Sequence, residues 1–200
     1  RMRETEALVE SRIVGLPADL CHPFGNIKNQ VWFGLNNPVD NFIYGIDPSG
    51  AGTQGTIYRI DDTGAVTDLG IPVGWPATDQ FYAGTFLEDG TYVVNNQDEI
   101  IMLDVTTTPP TITNSATLQG GFFLDIAVNP LDGLLYGYNQ DTQQIATVNP
   151  NTGVINNFGV VSPDIASFGT AFFDVYGNMY LYGSEFGTIE QDTFYRADTD

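Results

Sequence analysis

One histidine and one cysteine stand side by side in Leu20-Cys21-His22-Pro23-Phe24. A Ser-His-Asp triad would have to use His22, and a zinc centre would lack its second histidine and further thiolates. Neighbours on an extended chain point opposite ways, so adjacency makes no Cys-His dyad. Cys21 reads as a small buried hydrophobe, and a lone cysteine excludes an internal disulfide. No catalytic residue and no metal ligand set is assigned. Carboxylates are too numerous for pairs of them to single anything out. Asp61-Asp62-Thr63-Gly64 offers oxygens to calcium. The same residues suit a turn, and Asn149-Pro150-Asn151-Thr152-Gly153 repeats the pattern without acids. No segment has the EF-hand spacing or the calcium-binding nonapeptide repeat. Calcium is thus the one cofactor left open. The glycines of Gly45 to Gly55 come without a lysine and without a following helix, so they read as a long loop and not a phosphate cradle.

Charge narrows the partners. The net charge is −19, from six basic and 25 acidic residues. Nucleic acid and anionic membrane surfaces both require clustered Lys and Arg. No run of 18 apolar residues exists, so membrane insertion by a helix is not expected. Four of the six basic residues lie before residue 29 and are balanced there by four acids, so a neutral arm precedes an acidic body. Such a body attracts cations, repels copies of itself at low salt and suits extracellular or saline surroundings.

The elements that must position any site come from an internal repeat. Four segments run from small or aromatic residues through a tight turn to a tyrosine: Tyr44, Tyr92, Tyr136 and Tyr180, spaced by 48, 44 and 44 residues. A second phase follows each one: Ile57-Tyr58-Arg59-Ile60-Asp61, Ile100-Ile101-Met102-Leu103-Asp104, Ile145-Ala146-Thr147-Val148-Asn149 and Phe194-Tyr195-Arg196-Ala197-Asp198. Each unit holds short β-runs separated by Asp, Asn, Gly and Pro, and no sustained 3.6-residue period appears. Four strands per unit of this length predict an all-β fold, a β-propeller of four-stranded blades. The blades fall near residues 31–70, 81–118, 122–159 and 167–200 of a repeat region spanning 21–200, preceded by an arm over 1–20.

The fourth unit stops before its last strand. Leu8-Val9-Glu10-Ser11-Arg12-Ile13-Val14-Gly15 resembles Ala65-Val66-Thr67-Asp68-Leu69-Gly70, so the N-terminal strand is a candidate to complete the last blade. Three arrangements are open: closure of the chain's own ring, exchange of the arm with another copy, or a piece of a larger propeller.

Counting back from the turns puts Phe33, Tyr82, Asp125 and Gly169 at one level of the inner strands. Asp125 is the only charge in that ring, and a charge there needs a partner or water. Asp125, Tyr82 and Phe33 are therefore candidate binding residues. Trp75 is a fourth. In Ile71-Pro72-Val73-Gly74-Trp75-Pro76 it lies between blades, either wedged in the core or exposed as a platform for sugar or protein.

Asn36-Asn37-Pro38-Val39-Asp40-Asn41-Phe42-Ile43-Tyr44-Gly45, Ala127-Val128-Asn129-Pro130-Leu131-Asp132-Gly133-Leu134-Leu135-Tyr136-Gly137 and Leu103-Asp104-Val105-Thr106-Thr107-Thr108-Pro109-Pro110-Thr111 carry a family resemblance. The chain resembles, from about Cys21 onward, a domain-of-unknown-function family of propeller-like repeats in secreted and surface proteins of bacteria and fungi. The resemblance implies an extracellular or cell-surface module beside adhesive partners, with no agreed catalytic residues to carry over. The expected function is non-enzymatic: structure, adhesion or self-assembly through other protein modules or copies of the chain. A glycan- or protein-binding lectin-like propeller and a metal-dependent lactonase or lyase are the alternatives.

Overall fold

The computed structural model describes residues 32–47, 55–75, 81–160, 165–185 and 192–197. The fold is all-β, with four antiparallel blades arranged as a propeller. Blade one is β1 (Trp32–Asn36), β2 (Ile43–Ile46), β3 (Ile57–Ile60) and β4 (Val66–Gly70). Blade two is β5 (Ala83–Phe86), β6 (Tyr92–Asn95), β7 (Glu99–Asp104) and β8 (Thr111–Thr117). Blade three is β9 (Phe123–Val128), β10 (Leu135–Asn139), β11 (Gln144–Val148) and β12 (Ile155–Val160). Blade four is β13 (Ile165–Phe173), β14 (Met179–Glu185) and β15 (Asp192–Ala197). Every blade is a simple meander, each strand pairing with its sequence neighbours. The inner strands β1, β5, β9 and β13 pack in chain order. The arm over 1–20, and with it closure or exchange through the N-terminal strand, lies outside the described residues, as do Cys21 and His22.

The core is interblade. Tyr44 and Ile46 of blade one meet Phe86, Tyr92 and Ile101 of blade two in one cluster. Val93 and Ile100 meet Phe123 and Ile126 in the next, and Tyr136 and Ile145 meet Phe173 and Leu181 in the third. Strand side chains alternate between faces, so each central strand feeds both flanking clusters. This accounts for strands with no exposed side: Tyr92–Asn95 and Leu135–Asn139 are buried throughout. Burial of an aromatic side chain of this kind stabilises by roughly 1.5–3 kcal/mol.

The turn between the first two strands opens alike in blades one, three and four. An Asn or Asp opens it and accepts a backbone N–H two residues on: Asn37 from Val39, Asn129 from Leu131 and Asp174 from Tyr176. Three tyrosines then lock the turn from the following strand. Tyr44 donates to Asp40 at 2.6 Å, Tyr136 to Asp132 at 2.8 Å and Tyr180 to Asp174 at 3.3 Å. Burial first, then the Asp40 carboxylate, pushes the Tyr44 phenol up to about 12.

The fourth tyrosine departs from the expected repeat. Tyr92 pairs with Phe86, the last residue of the inner strand, whereas Tyr44 and Tyr136 stand one residue further along. The turns of blades one and three close with Asn37 to Phe42 and Asn129 to Leu134, those of blades two and four with Leu87 to Thr91 and Asp174 to Asn178, one residue shorter. Val93 is therefore the structural counterpart of Tyr44. A one-residue slip turns a side chain to the other face of a strand. Tyr92 accordingly faces back to blade one, stacked on Phe86 at 4.6 Å between centroids, and its hydroxyl meets no partner among the described residues.

Candidate functional site

The same turn lengths redraw the inner ring. Three residues back from the last paired inner-strand position stand Phe33, Ala83, Asp125 and Thr170. Tyr82 and Gly169, expected in the ring, each fall one position away. Phe33 lies in the bulged stretch of β1. Tyr82 precedes β5, donates its backbone N–H to the carbonyl of Asn95 and tilts its ring against Phe122 at 6.0 Å, across the seam of blades two and three. It is half-buried.

Asp125 is the ring's one carboxylate, and its oxygens are spent on the fold. Oδ2 accepts the Thr170 hydroxyl at 2.8 Å and the Ala171 N–H at 2.6 Å, both on β13. Oδ1 accepts the N–H of Ile126 at 2.9 Å. The carboxylate therefore staples the inner strand of blade three to that of blade four. A bulge in β9 between its Phe123 and Ile126 pairings turns the side chain out of the ladder toward the neighbouring blade. Burial raises the Asp125 carboxyl to about 7, even though all three hydrogen bonds pull it down. Burial above all, with the Asp125 charge adding to it, also pushes the Tyr92 phenol up.

Trp75 is packed inside, not presented. It is 8% exposed, stacks on Phe81 at 4.2 Å and 27°, and covers Gly55 so closely that a Cβ there would fall 1.9 Å from the indole nitrogen. Of the two placements open from the sequence, the structure shows the wedge, so Trp75 offers no platform to a sugar. Its indole N–H meets no acceptor among the described residues.

The Asp61 segment forms the turn. Oδ1 accepts the Thr63 N–H, the Thr63 hydroxyl at 2.6 Å and the Ala65 N–H. The Thr63 hydroxyl foremost, with these N–H groups, holds the carboxyl below its ordinary range. Asp104 repeats the arrangement with Thr106. Among the described residues no three His, Cys, Asp or Glu side chains gather as a metal would require.

Asp125 bonds to blade four, Tyr82 tilts against Phe122 and Trp75 stacks on Phe81, and Asp125 alone supplies charge to the ring. The partner that sequence reasoning missed is Thr170. It was hidden by the one-residue difference in turn length, although Gly-Thr-Ala in an otherwise aromatic strand carried a polar residue beside the chosen glycine.

In fold the chain is similar to a hydrazine synthase of Kuenenia stuttgartiensis, at 16% identity and a TM-score of 0.56, over 87% of this chain and 48% of that one. It is similar to an auxiliary nutrient binding protein of Bacteroides ovatus at 18% identity and 0.56, over 86% and 38%. The WD40 β-propeller domain of Doa1 matches at 14% identity and 0.50, over 78% and 46%. The chain spans less than half the length of each of these three structures. The likeness is one of fold, shared by proteins of unlike function. A comparison with curated proteins gave no match. The repeat pattern, the blades built on it and a match over residues 35–195 place the chain in the family described as a repeat of unknown function, DUF6923.

Proposed function

We propose that the protein is a non-enzymatic display module with a structural or adhesive role at the cell exterior. Asp125 carries this reading: the ring's one charge is committed to joining two blades, as a structural group would be. The Trp75 wedge and the turn-locking tyrosines are committed in the same way. Blades so joined form a rigid support, and the turns are left to make contacts. The acidic balance of −19 and the resemblance to surface-protein repeats favour an extracellular setting.

A catalytic reading would draw on the same Asp125, because a carboxyl titrating near neutrality suits a general base. Asp125→Ala separates the two. A staple leaves Thr170 and Ala171 unpaired when removed, and at about pH 5, where the folded carboxyl keeps its proton, the variant should lose about 1–3 kcal/mol. Unchanged or higher stability on thermal melting would be the mark of a group kept for chemistry at the fold's expense, and would overturn the proposal.

A further inference from the structure

Five of the ten large apolar side chains exposed among the described residues stand on the first turns of their blades. Leu131 is 69% exposed, Leu134 51%, Val175 64% and Tyr176 75%. Leu131 and Leu134 belong to the β9–β10 turn, Val175 and Tyr176 to the β13–β14 turn. Val39, equally exposed, holds the corresponding place in the β1–β2 turn. In a meander the first and third turns leave from one end of the sheet, so all five lie at one end of the disc. The turns also touch. A Cβ on Gly177 would lie 2.6 Å from Leu131 Cδ1, which puts the turn of blade three over that of blade four. One on Gly90 would lie 3.0 Å from Val39 Cγ2, which does the same for blades one and two.

Single exposed apolar residues need no explanation, but a group of them on adjoining turns does. Turn geometry does not demand them. In blade two the place of Val39 and Leu131, two residues after the turn opens, is taken by Asp89, and the turn forms there with an acid. Exposed acids stand on other turns of the same end: Asp62, Glu88 and Asp89. The two arginines of the described residues are engaged within the fold. Arg59 lies over the Phe42 ring at 4.7 Å, and Arg196 donates to Asn178. A second copy would bring the same charge and be repelled. The complementary occupant has an apolar stripe flanked by Lys and Arg.

We infer that the end of the disc bearing Leu131, Leu134, Val175 and Tyr176 docks a cationic amphipathic polypeptide segment of another protein. This rests on the display-module reading and supplies its surface and its class of partner.

The test is fluorescence anisotropy of the full chain with a labelled Leu/Lys amphipathic helical peptide about 18 residues long, at about 150 mM salt to screen long-range attraction. A Leu/Glu peptide of the same pattern is the control. The expected result is micromolar binding of the Leu/Lys peptide alone. Leu131→Ser, Val175→Ser and Tyr176→Ser combined should weaken it at least tenfold. Asp62→Asn with Glu88→Gln should weaken it about threefold. Asp98→Asn with Asp141→Asn removes equal charge from the other turns and should leave it unchanged. All the replaced side chains are on the surface, so thermal melting of each variant should match the parent. The inference is overturned if the triple serine variant binds as well as the parent, if the two charge variants behave alike, if the Leu/Glu peptide binds equally, or if no peptide binds. It is also overturned if neutral phosphatidylcholine vesicles displace the peptide, since the face would then be a lipid surface. Any of these removes the docking face and leaves the display-module reading intact, because that reading falls only on the Asp125→Ala result.

Discussion

Replacing Asp125 by Asn should change how stability depends on pH. In the folded chain burial holds the carboxyl at about 7, against 3.8 when free. The folded state thus keeps the proton to higher pH than the unfolded one. The stabilisation this provides is complete below 3.8 and is lost as pH rises through 7. Across the whole interval the linkage is worth about 4 kcal/mol, and about 3 kcal/mol between pH 5 and pH 8.5. Asn cannot titrate. It also turns an amide N–H toward the Ile126 N–H, a mismatch that costs the same at both pH values and cancels in a difference. The measurement is urea unfolding of parent and Asp125→Asn at about pH 5 and pH 8.5. The parent's advantage should be larger by about 3 kcal/mol in acid, a relative midpoint displacement on the order of 1–2 M urea. Subtracting the variant removes the contribution of the other acidic residues, which titrate in both proteins. A pH-independent difference, or one that grows toward alkaline pH, would refute the placement of Asp125 in the blade three–blade four seam.

The tyrosines give a paired test. Tyr136→Phe removes a hydroxyl bonded to the Asp132 carboxylate and should cost about 1.5–3 kcal/mol. Tyr92→Phe removes a buried hydroxyl that has no partner among the described residues, and the variant should be as stable as the parent or more so; a loss of similar size in both would show the Tyr92 register to be wrong. Gly55→Ala meets the Trp75 indole and must hold a φ of 84°, so a loss of several kcal/mol on chemical denaturation is expected, and a neutral result would displace Trp75 from the wedge. Light scattering over a range of concentrations tests the arm. A constant mass near 21.8 kDa is expected if residues 1–20 fold back on their own disc, and a dimer or ladder if they complete a neighbour's blade.

Much of this architecture was legible in one dimension. Short β-runs between Asp, Asn, Gly and Pro recur at a blade's length, and a strand's two-residue period with both faces apolar announces burial between blades. The tight turns and the tyrosines that follow them could be read because a turn and the strand after it are local, lying within seven residues of one another. Asp125 could be picked out as the one inner-strand charge, since the cost of burying a carboxylate is a property of the residue type.

What such a reading could not supply depends on register and on contacts between distant strands. Two turns shorter by one residue reverse the facing of Tyr92 and exchange Tyr82 and Gly169 for Ala83 and Thr170, because side chains alternate with every step along a strand. Composition shows no difference between a turn of five residues and one of six. The blade-four partners of Asp125 lie 45 and 46 residues away, so only the docking of blade four on blade three turned a candidate binding group into a staple. The same docking brought Leu131 over Gly177 and gathered scattered apolar turn residues into one surface. Local patterning chose the strands and turns of this chain; the packing of blade against blade chose which side chains hold it together and which are left exposed.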